Sequence, residues 1–181
     1  MSESESFAYV LGRKVETLTA PFWGRGVAFG SMGLDGQTMQ DSDYKHCTFA
    51  NISFLKTIIQ KGAFEDCVFI GCYFRRAEIR DSSFVGCRFI DCHFGHVAIK
   101  SSQFKYSSFR GCQIAFAELE HNLPPEPNLR EELARNLSLE SSRLGRSADA
   151  RQYRITEIQA READLRAAVA CISKHLSLIH I

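Results

Sequence analysis

Seven cysteines in a chain of 181 residues raise the question of a metal or a disulfide. Cys67 with Cys72, and Cys87 with Cys92, stand in close pairs that resemble ligand pairs. His93 and His96 beside Asp91 are the nearest approach to a catalytic constellation. Lys56, Lys61, Arg75, Arg76, Arg80 and Lys100, with His93 and His96 nearby, could meet an anion or nucleic acid. No Gly-rich phosphate loop, nucleophile elbow or motif-placed carboxylate pair accompanies them.

What these residues can do depends on what positions them, and one pattern does so. From Phe29 a large apolar residue recurs at every fifth position through Leu34, Met39, Tyr44, Phe49 and so on to Leu119. The nineteen consecutive centres take eleven of the fourteen Phe, which excludes chance. Two residues before each centre stands a small or slim one: Ser42, Cys47, Thr57, Gly62, Cys67, Ala77 and their successors. In extended chain, positions i and i−2 point the same way, so both face one interior. A period of five fits neither a 3.6-residue helix nor a plain strand, so each unit is a short extended piece and a corner.

A longer period fixes the closure. Phe29, Phe49, Phe69, Phe89 and Phe109 stand twenty apart, as do the aliphatic Met39, Ile59, Ile79, Ile99 and Leu119. Four sides per coil is the simplest geometry that keeps residue type at that spacing. Like residues then stack one strand spacing apart, about 4.8 Å. Nineteen units give about five coils.

This arrangement turns the chemistry aside. All six Cys between 47 and 112 occupy the small inward position, and columns do not converge on one point as zinc ligands must. They read as small buried hydrophobes, so no metal and no cofactor is expected. Glu78, Asp81 and Asp91 interleave with the basic residues, and residues 27–121 carry ten acidic and ten basic side chains. That is a solvated mixed surface and argues against nucleic acid. Ile70 and Ile90 share an outward column near Val68 and Val85, an apolar stripe suited to a partner. The expectation is a chain that is not an enzyme.

Residues 27–121 resemble the pentapeptide-repeat proteins, whose unit is a small residue, a polar residue, Leu or Phe, then two variable positions. The resemblance implies an all-β solenoid, a right-handed quadrilateral β-helix. Phe dominates the centres here, and Thr48, Ser53, Tyr73, Arg88 and His93 replace the commoner Asp or Asn before the centre. Some members of the family imitate duplex DNA and bind type II topoisomerases, which takes a strongly negative rod; this rod is neutral.

Around the solenoid, residues 1–26 read as an N-terminal cap or lead-in, with Phe22 and Trp23 as the lid over the first coil. Residues 122–181 read as a proline linker and a two-helix segment. Pro124, Pro125 and Pro127 cannot extend a ladder. Asn128, with Glu131 three residues on, is the expected N-cap of a first helix that Gly145 ends. A second opens at Ser147 and carries a heptad-like seam of Ile155, Ile158, Leu165, Val169, Ile172 and Leu176, with Glu162 filling the gap. The helical hairpin is similar to paired helices that follow the repeats in some bacterial members with a membrane channel or anchor.

Net charge is +1, which offers no whole-molecule field to nucleic acid or anionic lipid. The acidic start, Met1-Ser-Glu-Ser-Glu-Ser6, has no secretory pattern, and no run of eighteen apolar residues exists, so the cytoplasm is expected. Two roles remain. One is a non-enzymatic scaffold or protein–protein interaction module that binds a protein partner or a second copy as a homodimer through residues 155–172 or the outer faces. The alternative is the cytoplasmic portion of a membrane-anchored or channel-type protein continuing past Ile181.

Overall fold

In the computed structural model, which describes residues 15–16 and 22–179, with side chains for 22–173, the five-residue unit is a three-residue strand and a corner on three sides and a single bridging residue and a corner on the fourth. From Ala28 onward each strand centres on one large residue of the series and points it inward, with its two neighbours pointing out; the strand Trp23–Arg25 centres on Gly24 instead. The corner follows at the second residue after the centre. Thirteen non-glycine corner residues, among them Asp41, Asn51, Asp66, Asp81 and Asp91, hold φ between 49° and 59°. Gly36, Gly71, Gly86 and Gly111 fill equivalent corners. Asp, Asn and Gly enter this left-handed region at the least cost, which is why they collect there.

Strands β1 (Val15–Glu16), β3 (Ala28–Gly30), β6 (Thr48–Ala50), β9 (Val68–Ile70), β12 (Arg88–Ile90) and β14 (Ser108–Arg110) form one parallel sheet. We call it the long face. β2 (Trp23–Arg25), β5 (Asp43–Lys45), β8 (Ala63–Glu65) and β11 (Ser83–Val85) make the face before it. β4 (Thr38–Gln40), β7 (Ile58–Gln60), β10 (Glu78–Arg80) and β13 (Ala98–Lys100) make the face opposite the long one. The fourth face is a run of single bridges, Gly33 to Ser53 to Tyr73 to His93 to Gln113. Register is twenty residues from β2 onward, Phe49 to Phe69 to Phe89 to Phe109 for instance, whereas β1 meets β3 at thirteen, Val15 beside Ala28. The result is a four-sided parallel solenoid of four full coils and part of a fifth.

The core is a set of ring ladders. Phe49 and Phe69 stack at 4.7 Å, Phe64 and Phe84 at 4.7 Å, and Phe54 and Phe74 at 4.6 Å, with rings within 7° of parallel. Neighbouring ladders meet edge to face, as Phe69 and Phe74 do at 64°. Such pairs add about 1 kcal/mol each beyond burial. The small inward residues fill the space beside the rings, and Cys47, Cys67, Cys72, Cys87 and Cys92 are wholly buried.

The solenoid ends in helices. α1 (Phe116–Leu119) replaces the last repeat strand, yet Leu119 still reaches the core and is buried. A single 3-10 turn, Glu120–Asn122, follows. Asn122 closes the Ser42, Gly62, Ser82, Ser102 column, accepting from Ser102 N–H at 3.0 Å and donating to Ile99 O at 3.0 Å. α2 (Pro127–Arg143) starts two residues earlier than the Asn128 cap implies: Pro127 takes the first helical position and Glu126 the N-cap position, with no side-chain cap bond. Proline needs no N–H partner there, so its fixed φ sets the start. Gly145, at φ 72°, ends the hairpin turn, and α3 (Ser147–Ile179) opens at Ser147 as expected. Of the two expected lid aromatics, Phe22 packs against the core, whereas Trp23 sits outward on β2 and is exposed.

Candidate interaction surfaces

The helical hairpin is fixed to the open end of the solenoid by polar groups. Edge strand β14 would otherwise leave backbone groups unpaired. Asn136 on α2 accepts from Phe109 N–H and donates to Phe109 O, and Glu140 accepts from Gly111 N–H at 2.9 Å. Beside them Leu129, Leu133 and Leu137 are buried. From α3, Asp149 accepts from Phe116 N–H at 2.8 Å. Tyr153 lies fully buried, edge-on to Phe116 at 5.0 Å.

The inner side of α3 is therefore Ala150, Tyr153, Glu157 and Ala160, all buried, at spacings of three and four. Glu157 meets Arg154 at 2.6 Å, Arg135 at 3.2 Å and Arg161 at 3.2 Å, while Glu131 binds Arg135 and Arg161. Burial by itself would raise the Glu157 carboxyl, but hydrogen bonds from Arg154 and Arg135 outweigh it and hold the group below its ordinary value.

The expected seam faces the other way. Ile155, Ile158, Leu165, Val169 and Ile172 are all exposed, from 43% at Ile155 to 66% at Val169. α3 has 33 residues against 17 in α2, so its second half outruns its partner, and residues 161–173 are exposed throughout. Leu176 falls among residues whose side chains are not described.

The expected basic patch divides. Lys56, Arg76 and His96 occupy one corner, a coil apart from each other, and Arg75 and His93 stand beside it on the bridge face. Tyr73 links them: its hydroxyl accepts from Arg75 at 3.4 Å and its ring lies 6.0 Å from His93. Arg80 lies round the corner on β10, bound to Glu78 at 2.5 Å, and Lys100 meets the same carboxylate at 3.7 Å. The acidic side chain sits between them, so that face carries little net field.

Ile70 and Ile90 are register partners on the long face, both half-buried. A groove of about 480 Å³ opens there, with Thr48, Val68, Ile70 and Arg88 along the long face and His46 and Asp66 at the corner. The hairpin does not lie on this stripe; it sits at the end of the coil.

The repeat thiols are inert as placed. All seven cysteines are free, and the six in the repeats are buried while Cys171 is exposed. Each of Cys67, Cys87, Cys92 and Cys112 has its Sγ 3.4 to 3.5 Å from a core carbonyl one coil below. The adjacent thiol and then burial hold Cys47 and Cys112 far above an ordinary thiol. Cys67 is eased by Cys47 but raised more by Cys87 and burial, and is pushed up to about 12. Among the described residues no group of three His, Cys, Asp or Glu is placed to hold a metal ion. No described helix is long and apolar enough to cross a membrane.

Sequence reasoning missed Asn122, Asn136, Glu140 and Glu157. Asn122 carried a signal, standing twenty residues after Ser102 in the small-residue column.

Residues 37–119 match the family model of the pentapeptide repeat region. Among solved structures the chain is similar to a pentapeptide repeat protein from the cyanobacterium Cyanothece 51142, at 6% identity and a TM-score of 0.27 over 60% of this chain and 81% of that one. It is also similar to a pentapeptide repeat protein from the Arabidopsis thaliana thylakoid lumen, at 15% identity and a TM-score of 0.29 over 54% and 74%. A third is full-length QnrB1, a plasmid-mediated fluoroquinolone resistance protein, at 13% identity and a TM-score of 0.26 over 51% and 70%. Among curated proteins nothing matches the chain.

Proposed function

The chain carries pentapeptide repeats over residues 37–119 and so belongs to the pentapeptide-repeat proteins, and from that premise we propose that it is a non-enzymatic interaction scaffold which pairs with a second copy through α3. Members of this family are generally structural or interaction proteins. One observation carries the reading: Ile158, Leu165 and Ile172 recur at seven residues on the exposed side of α3, the last two on the half that runs past α2. Ile155 and Val169 flank them on the same side. A stripe of that period on an exposed helix is the pattern of a two-helix seam. Pairing there leaves the solenoid faces free to meet a protein partner.

Sedimentation of the full chain tests this. The wild type sediments as a dimer at micromolar concentration, and the double substitution Leu165→Glu with Val169→Glu sediments as a monomer with unchanged solenoid melting. A wild type that stays monomeric at hundreds of micromolar overturns the reading.

A further inference from the structure

The exposed stripe of α3 is symmetric about its own middle. Ile155, Ile158, Glu162, Leu165, Val169 and Ile172 all face solvent. Their spacings are three, four, three, four and three, the same from either end, and the centre falls between Ala163 and Asp164. A surface with this property can meet a copy of itself running the opposite way with every position matched, as a two-fold axis requires.

We propose that α3 pairs antiparallel with α3 of a second copy about that centre, a step that rests on the self-pairing proposed above. Ile155 then lies opposite Ile172, Ile158 opposite Val169 and Glu162 opposite Leu165, each pair occurring twice.

Charge favours this direction over the parallel one. Written as heptads, Ile155, Glu162 and Val169 take the first seam position and Ile158, Leu165 and Ile172 the second. A parallel pair in register sets Glu162 against Glu162 inside the seam, where like charges repel. It also stacks Ile158 on Ile158 and Ile172 on Ile172 at the position where parallel dimers take Leu. Antiparallel pairing lays the stem of Glu162 on Leu165 and brings Arg166 of the other copy within about one residue rise, 1.5 Å, of its level along the axis. Glu162 already meets its own Arg166 at 3.4 Å, with both side chains largely exposed, so two carboxylates and two guanidinium groups alternate around the axis. Arg161 stays with Glu131 and Glu157 of its own chain and takes no part.

The same direction gives the overhang of α3 a use. Residues 165–172 of one copy cover residues 155–162 of the other, on the side turned away from the buried Glu157 and Ala160. The solenoids are held at opposite ends of the seam, with Tyr153 of the two copies about 32 Å apart along the axis.

Cross-linking of the full chain decides it. Ile158→Cys is mixed with a length-tagged Val169→Cys, both with Cys171→Ser so that no other exposed thiol remains, and the mixture is oxidised mildly. The mixed disulfide exceeds either self-linked product by at least about tenfold, because like residues lie about 16 Å apart along the axis, beyond disulfide reach. Spin labels on native Cys171 repeat the test without altering the seam: antiparallel pairing separates them by about 22 Å along the axis, whereas parallel pairing sets them level. Self-linked Ile158→Cys or level labels overturn the proposal. A chain that sediments as a dimer but forms no mixed disulfide overturns it as well and leaves self-pairing standing, whereas a chain that stays monomeric overturns both.

Discussion

Asn136 pairs with both backbone groups of Phe109, its Oδ1 accepting from the N–H at 2.8 Å and its Nδ2 donating to the carbonyl at 3.0 Å. A primary amide carries the same donor and acceptor as a peptide unit. The helix thereby gives β14 what a sixth coil would have given, and the stack stops without an open edge. Asn136→Leu keeps the bulk and leaves both Phe109 groups unmet, at an expected cost of about 2 kcal/mol. Denaturant unfolding reads the loss, and exchange at the Phe109 amide localises it. A change below about 0.5 kcal/mol would show that water replaces the side chain.

Gly111 holds φ at 64°, and a Cβ on it would lie 2.0 Å from Asp91 Oδ1, the corner one coil below. Gly111→Ala therefore meets a strained backbone and a carboxylate together, for an expected loss of about 2 kcal/mol. Adding Asp91→Gly to Gly111→Ala removes the clash but not the strain, so about half of the loss returns. Thermal melting of the single and double variants checks both steps; no recovery in the double variant would place the whole cost in the backbone.

The coil was legible in the chain because residue type repeats with it: a Phe at 49 calls for a Phe at 69, and the ring ladders follow. The corners left a trace too, in the Asp, Asn and Gly that stand two residues after so many centres. The docking of the hairpin left almost none. Glu157 reads as a solvent-facing charge, since nothing local announces that three arginines converge on it. Asn136 and Glu140 look equally like surface residues until β14 is known to lie beneath them. The Ile155 to Ile172 seam was visible for the opposite reason: periodicity shows a stripe but not which side of the helix the partner takes.

The cysteine columns make a count. With the six repeat thiols buried and Cys171 exposed, a thiol reagent at neutral pH modifies one cysteine of seven in the native chain and all seven in denaturant. Raising the pH to 9 adds no further native reaction, because burial keeps the reagent from all six repeat thiols, and Cys67 in addition stays protonated up to about 12. Two or more reactive native thiols would mean that the solenoid opens or that the columns are not core.

Glu157 ties α3 to α2, and pH exposes the tie. Its folded carboxyl titrates below the ordinary glutamate value of about 4.3. The stability it adds is thus fully present above that pH and disappears as pH falls through the lower folded value. The groups facing it are Arg154 and Arg161 on its own helix and Arg135 and Glu131 on α2, so protonation leaves three guanidinium groups with only Glu131 between them. Glu157→Gln removes the charge without removing the shape. At pH 7 it should destabilise the hairpin by about 2 kcal/mol, less than a fully buried pair because the arginines are half exposed. Between pH 5 and 3 the wild type should lose stability and converge on Glu157→Gln, whose own curve is flatter there. Parallel curves for the two proteins across that range would show that the carboxylate is not what fastens the helices.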